Sequence, residues 1–261
     1  MLDKGGWVNN DTSNVLGIYY KDYIKQLCEW CSPQIKVLLD LAMDGADFGS
    51  ARKIQMIRTP SLRSAWIEFG RDVISHCHPD AILILDEPCV QSDIDEGFIT
   101  EEQYRLFVNE SIEAYRSVDP DITVFVFGIP FKYLSVFHDN PLPYENVVYV
   151  LNFPYYSGPG TGWRDYYYNG QLGEGLTDLY ENLDWKFGVM KGRDSFCLTA
   201  GVREYQPNNW DALMLDVYEY CKTNDIYFFQ FAFSKWKWSM LMEDHTQFND
   251  VGQLWAENVP E

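Results

Sequence analysis

Two adjacent carboxylates, Asp86 and Glu87, close the run Ala81-Ile-Leu-Ile-Leu-Asp-Glu-Pro88. A carboxyl group can give or take a proton, or attack an electrophile, so such a pair is a candidate for acid–base work. The five apolar residues before it read as a strand buried on both faces, as in a parallel sheet. Proline cannot continue a central strand, so the two carboxylates fall at its carboxyl end. In a barrel of alternating strands and helices, that end carries the chemistry. An ordinary surface turn is the other reading of so short a pattern. What raises it above that is recurrence.

The elements that would position the pair follow in order. Residues 1–20 are rich in Gly and Asn and show no regular pattern. Lys21 to Cys31 has Tyr23, Ile24, Leu27 and Trp30 at helical spacing, and Ser32-Pro33 stops it. Ile35 to Leu41 reads as a buried strand, followed by a long polar excursion from Met43 to Arg63. A helix over Ser64 to His76 leads into the carboxylate strand. Thr100 and Gln103 have the form of a capping box that opens a helix to about Ser117. Strands are expected at Ile122–Phe127, Val147–Asn152, Phe196–Ala200 and Tyr227–Phe233, and helices at Leu176–Lys186 and Asn209–Cys221. A Gly- and Tyr-rich loop, Tyr155 to Gly175, interrupts them. Six strands alternating with helices predict an α/β fold with parallel strands and right-handed crossovers. No glycine-rich phosphate fingerprint is present, which favours a barrel over a dinucleotide-binding sheet.

Composition narrows the partners. With 261 residues, one barrel-sized domain over 1–261 is expected. The formal charge of −19 argues against nucleic acid, whose phosphates would be repelled over most of the surface, whereas a neutral polysaccharide would be indifferent. No stretch is apolar and long enough to cross a membrane. The start, Met-Leu-Asp-Lys-Gly-Gly, lacks a signal peptide's apolar core, and export stays open. Cys28 and Cys31, with Cys77 between His76 and His78, have the residue types of a zinc site, but the first pair lies in a helix and no second C-x-x-C exists. Buried thiols are the expectation there, and Cys89, Cys197 and Cys221 fall on or beside core elements.

Leu85-Asp-Glu-Pro88 resembles the Asn-Glu-Pro motif that closes the fourth strand of glycoside hydrolase family 5, the cellulase family of barrel clan A. Val148 to Tyr156 is similar to that family's sixth strand, Phe229 to Trp238 to its eighth, and Ile35 to Ala42 to its third. The likeness runs from about Lys21 to the C-terminus, and only the ordered combination is specific. It implies a (β/α)8 TIM-barrel fold and retaining hydrolysis of β-linked glycans, with endo-β-1,4-glucanase activity expected and mannan or mixed-linkage glucan as alternatives. It implies Glu87 as general acid/base and a nucleophile about 5–5.5 Å away at the end of the seventh strand. There the register places Ala200 where the family has its glutamate, as a Glu→Ala replacement would leave it. Glu204 is the alternative nucleophile, on a longer strand. No metal or cofactor is required, because two carboxyls suffice.

The same resemblance marks Asp86 in place of the asparagine that grips a sugar hydroxyl, and Asn152 where histidine is usual. Aromatic residues just past strand ends, Tyr155, Tyr156, Trp163, Trp236 and Trp238, would stack on the C–H faces of pyranose rings, with cello-oligosaccharide the expected ligand. Strands one and two have no counterpart in residues 1–20, so the barrel is expected to be irregular or incomplete there. An open edge of that kind would favour a homodimer that covers it. A glycan-binding barrel that has lost a carboxylate, and with it catalysis, is the opposing reading.

Overall fold

The computed structural model describes residues 20–31, 34–41, 50–129, 135–138, 140–154, 196–201 and 210–230, with single positions at 180, 184, 253 and 257. They fall into two compact units, the first containing the chain up to 131 and Ser135–Val148, the second containing Tyr149 onward.

The first unit runs α1 (Tyr20–Cys31), β1 (Leu38–Asp40), α2 (Ser50–Arg58), α3 (Pro60–Cys77), β2 (Ala81–Leu83), α4 (Gln91–Asp95), α5 (Glu101–Arg116), β3 (Thr123–Phe127) and α6 (Ser135–His138). Its strands are parallel and lie side by side in chain order, Leu38 opposite Ala81 and Ala81 opposite Thr123. Ile82 to Leu85 and Val124 to Phe127 are all buried, as strands covered on both faces require. The cover comes from helix stripes. Helix α3 turns Trp66, Ile67, Gly70, Val73, Ile74 and Cys77 inward, and α5 turns Tyr104, Phe107, Val108, Ile112 and Tyr115 inward. The Thr100–Gln103 capping box forms as expected: the Gln103 N–H donates to Thr100 Oγ1 at 3.2 Å, and the Thr100 N–H donates to Gln103 Oε1 at 3.1 Å.

The expected polar excursion, the start of the helix after it and the start of the first strand need correcting, and the face of α1 is settled. The polar excursion from Met43 to Arg63 contains a helix, α2, and α3 starts at Pro60 instead of Ser64. In α2, Lys53, Ile54, Met56 and Ile57 are buried, so four residues form one inward face despite the charged flanks. A helix this short is stabilised by packing rather than by propensity. Arg63 closes its end, donating to the Ile57 carbonyl at 3.0 Å while gripping the Glu110 carboxylate at 2.6 Å. In α1, Trp30 is 79% exposed and Tyr23 also faces outward, while Cys28 is buried. The inward face is chosen by the end of α3, where His76 Nε2 lies 2.8 Å from Asp22 Oδ1. The strand expected from Ile35 begins only at Leu38, with Ile35 exposed.

The second unit holds β4 (Val147–Pro154) from Tyr149 onward, β5 (Phe196–Gly201), α7 (Trp210–Thr223) and β6 (Tyr227–Gln230). From Tyr149 onward β4 pairs in parallel with β5, and β5 in parallel with β6. Val217 and Tyr220 are buried on α7, and the Tyr220 hydroxyl donates to Asp184 Oδ1 at 2.7 Å. Of the helix expected over Leu176–Lys186, only Tyr180 and Asp184 lie within the described residues, both helical.

Two predictions follow from this packing. A Cβ on Gly70 would run into the Tyr115 ring and hydroxyl. Gly70→Ala should therefore cost about 1–3 kcal/mol, read as a lowered urea midpoint, because the α3–α5 contact must open. Separately, Asp80 ties the entry of β1 to that of β2: Lys36 Nζ donates to Oδ1 at 2.6 Å and the Val37 N–H to Oδ2 at 2.9 Å. The Lys36 hydrogen bond first, and the Val37 N–H second, hold the Asp80 carboxyl below the usual carboxylate range. A lowered folded value gives stability that is present above the unfolded pKa of about 4 and is lost as pH falls through the folded one. Asp80→Asn should flatten that part of a urea-midpoint-against-pH curve, and parallel acid limbs in the two proteins would refute the assignment.

Candidate active site

The geometry that aims Asp86 and Glu87 begins with the end of β2. Past Leu83 the ladder continues for one more bond, the Ile84 N–H donating to the Phe125 carbonyl at 3.2 Å. The Ile84 carbonyl accepts from the indole Nε1–H of buried Trp66 at 3.0 Å. Leu85, Pro88 and Cys89 are buried, and Asp86 and Glu87 between them are half-buried. The carboxylate pair thus emerges from an apolar floor at the carboxyl end of a fully buried strand.

Glu87 has φ +38°, in the left-handed region. For a residue with a Cβ that conformation costs about 1–2 kcal/mol, and it persists only where the surroundings hold it. Pro88 does not supply this, since a following proline favours extended backbone at negative φ. A restraint comes from α2. Lys53 is only 5% exposed, and its Nζ donates to the Asp86 carbonyl at 2.7 Å and to the Glu87 carbonyl at 3.4 Å. Lysine normally carries its ammonium out to water, so a buried one must find acceptors.

Below the pair, the chain is pinned again. Asp93, itself buried, accepts the Val90 N–H on Oδ2 at 2.9 Å, and its carbonyl accepts from Phe98 N at 2.8 Å. Burial, with the Asp93 charge adding to it, pushes the Cys89 thiol up to about 12. Cys77 and Cys221 are likewise pushed up to about 12, burial being the largest cause. These thiols pack as small apolar groups and hold little thiolate at neutral pH. Among the described residues no three His, Cys, Asp or Glu side chains gather as metal ligands.

In the second unit, Ala200 stands in the last turns of β5, opposite Phe153 on β4 and Gln230 on β6, and Asn152 stands opposite Thr199. Position 200 is therefore next to the carboxyl end of its strand, which closes at Gly201. Tyr155, Tyr156, Trp163, Glu204, Trp236 and Trp238 lie outside the described residues. Sequence reasoning missed Lys53 and the role of Trp66. The available signal for Lys53 was its place beside Ile54, four residues ahead of Ile57, on one helical face.

No protein-family profile matches the chain, and no curated protein matches it. Solved structures do. An endocellulase from the archaeon Pyrococcus horikoshii superposes with TM-score 0.68 at 16% identity, covering 98% of this chain and 79% of that one. An endoglucanase from Thermotoga maritima gives TM-score 0.68 at 12% identity, covering 90% and 78%. A β-glucanase from Saccharophagus degradans gives 0.68 at 14%, covering 92% and 71%. The fold is thus α/β, of the TIM-barrel type found in cellulase-like glycoside hydrolases, with parallel strands consistent with an incomplete (β/α)8 barrel. Residues 1–19, where strands one and two were sought, lie outside the described residues.

The Trp66 bond offers a direct check on the floor of the site. Trp66→Phe keeps an aromatic ring but leaves the Ile84 carbonyl without that donor. A loss of about 1–3 kcal/mol is expected by chemical denaturation, the cost of an unsatisfied buried acceptor.

Proposed function

We propose that this chain is a β-glycan-directed glycoside hydrolase whose general acid/base is Glu87. The observation that carries the reading is Glu87 itself: a carboxylate at the carboxyl end of a buried parallel strand, held at φ +38°. Catalytic groups of barrel enzymes stand at that end of their strands, and backbone strain tends to gather at working sites. The likeness to endocellulases and to a β-glucanase supports a β-linked glycan as the ligand. An inhibitor complex of a cellulase and a mannotriose complex of the Thermotoga enzyme are among the similar structures, which keeps both glucan and mannan in view.

In this reading Glu87 protonates the glycosidic oxygen while a second carboxylate attacks the anomeric carbon. Glu87 then deprotonates the water that releases the glycosyl–enzyme intermediate. Asp86 accepts a hydrogen bond from a sugar hydroxyl, and Tyr155, Tyr156, Trp163, Trp236 and Trp238 supply ring faces for the subsites. The nucleophile belongs at position 200, where this chain carries alanine, with Glu204 the alternative. A methyl group cannot attack, so Ala200 favours a second reading as well: a glycan-binding barrel without turnover.

Hydrolysis of soluble carboxymethyl-cellulose and of mannan by this chain and by its Ala200→Glu form decides among them. Turnover only in the Ala200→Glu form is expected, with Glu87→Gln in that background lowering it on the order of 100- to 10,000-fold. Turnover by the unsubstituted chain, abolished by Glu204→Gln, would move the nucleophile to Glu204. Silence from both, with retained binding in affinity electrophoresis, would establish the binding module.

A further inference from the structure

We infer that Lys53 is the positioning residue for the Glu87 carboxylate, acting as a buried ammonium clamp on the main chain at either side of the Glu87 Cα. This rests on the reading of Glu87 as the acid/base.

In an extended strand, successive carbonyls point to opposite sides, so one donor cannot reach two neighbours in sequence. The Asp86 and Glu87 carbonyls both reach Lys53 Nζ, at 2.7 and 3.4 Å. That convergence requires the chain to turn at the residue between them, and it does so with Glu87 at φ +38°. The clamp and the left-handed conformation are therefore one feature. Changing Glu87 to an extended conformation would pull one carbonyl off the ammonium, and removing the ammonium would take away the donor the two carbonyls share.

The setting makes the clamp stiff. Lys53 sits on α2 between buried Ile54, Met56 and Ile57, so its stem has little freedom to swing away. Arg63 anchors the end of the same helix to α5 through Glu110. Water has little access to replace the ammonium, since Lys53 as a whole is only 5% exposed. A proton donor must lie within hydrogen-bond reach of the leaving oxygen, and a displacement of about 1 Å costs on the order of 100-fold in rate. The clamp sets the direction in which Glu87 leaves the backbone, and through that the reach of its carboxyl.

Three measurements test this. In the unsubstituted protein, the Lys53 ammonium should give a slowly exchanging proton-detected ¹⁵N resonance, assigned by its loss in Lys53→Arg. Exchange as fast as that of exposed lysines would overturn the clamp. A crystal structure of Lys53→Met should show Glu87 out of the positive-φ region. Glu87 unmoved in that variant would also overturn it. Kinetics are read in whichever form, unsubstituted or Ala200→Glu, hydrolyses carboxymethyl-cellulose. There Lys53→Met should lower kcat on the order of 10- to 100-fold with KM within about threefold, and Lys53→Arg, which keeps charge and donors, should recover part of the loss. A relaxed Glu87 with unchanged kcat would overturn the positioning role, whereas no turnover in either form would refute the acid/base role of Glu87 and leave the clamp standing on the other two measurements.

Discussion

Strand β2 is buried on both faces, so every polar group where it ends must be paired by something reaching in from outside the sheet. That constraint organises the first unit. The Ile84 carbonyl is met by the Trp66 indole from α3, and the Asp86 and Glu87 carbonyls by the Lys53 ammonium from α2. The neighbouring strands contribute the last ladder bonds, Leu41 N to the Leu83 carbonyl and Ile84 N to the Phe125 carbonyl. A half-buried carboxylate stands at this point above backbone carbonyls that are held by the Trp66 indole and the Lys53 ammonium.

The helices are placed to deliver these donors. Helix α3 crosses close to α5 because Gly70 leaves room for Tyr115, and that approach carries Trp66 onto the strand end. Helix α2 is short and has charged residues on both sides of its apolar face, so it depends on its neighbours to form. Arg63 serves both, closing α2 through the Ile57 carbonyl and bracing α3 against α5 through Glu110. Many polar links of this unit thus run from helix to helix and from helix to strand end.

The strain at Glu87 is consistent with this arrangement. A left-handed glutamate is unfavourable in isolation, and here a buried cation holds the carbonyls on either side of its Cα. Structures that share the fold at 11–16% identity retain strands and crossovers while most side chains differ, so chemistry must be argued from individual residues in this chain. Glu87 is the residue on which strand position, burial and conformation agree.

Much of the fold was legible in the sequence, because the deciding signals are local. The apolar runs of β2 and β3, the Thr100–Gln103 box and the alternation of strand and helix each depend on residues close in the chain. The carboxylate pair, too, announced itself by following an unbroken apolar run and preceding a proline. What the sequence could not settle depends on partners far away in it. The inward face of α1 is set by α3, so Trp30 points to solvent and Cys28 inward although both readings fit the spacing. Helix α2 was hidden among polar residues because its stability comes from packing. The clamp is the clearest case: Lys53 and Glu87 are separated by a helix and a strand, and a lysine beside isoleucines looks like any amphipathic surface. Only folding removes the water that would otherwise solvate its ammonium, and only then must that charge find the two carbonyls that turn Glu87.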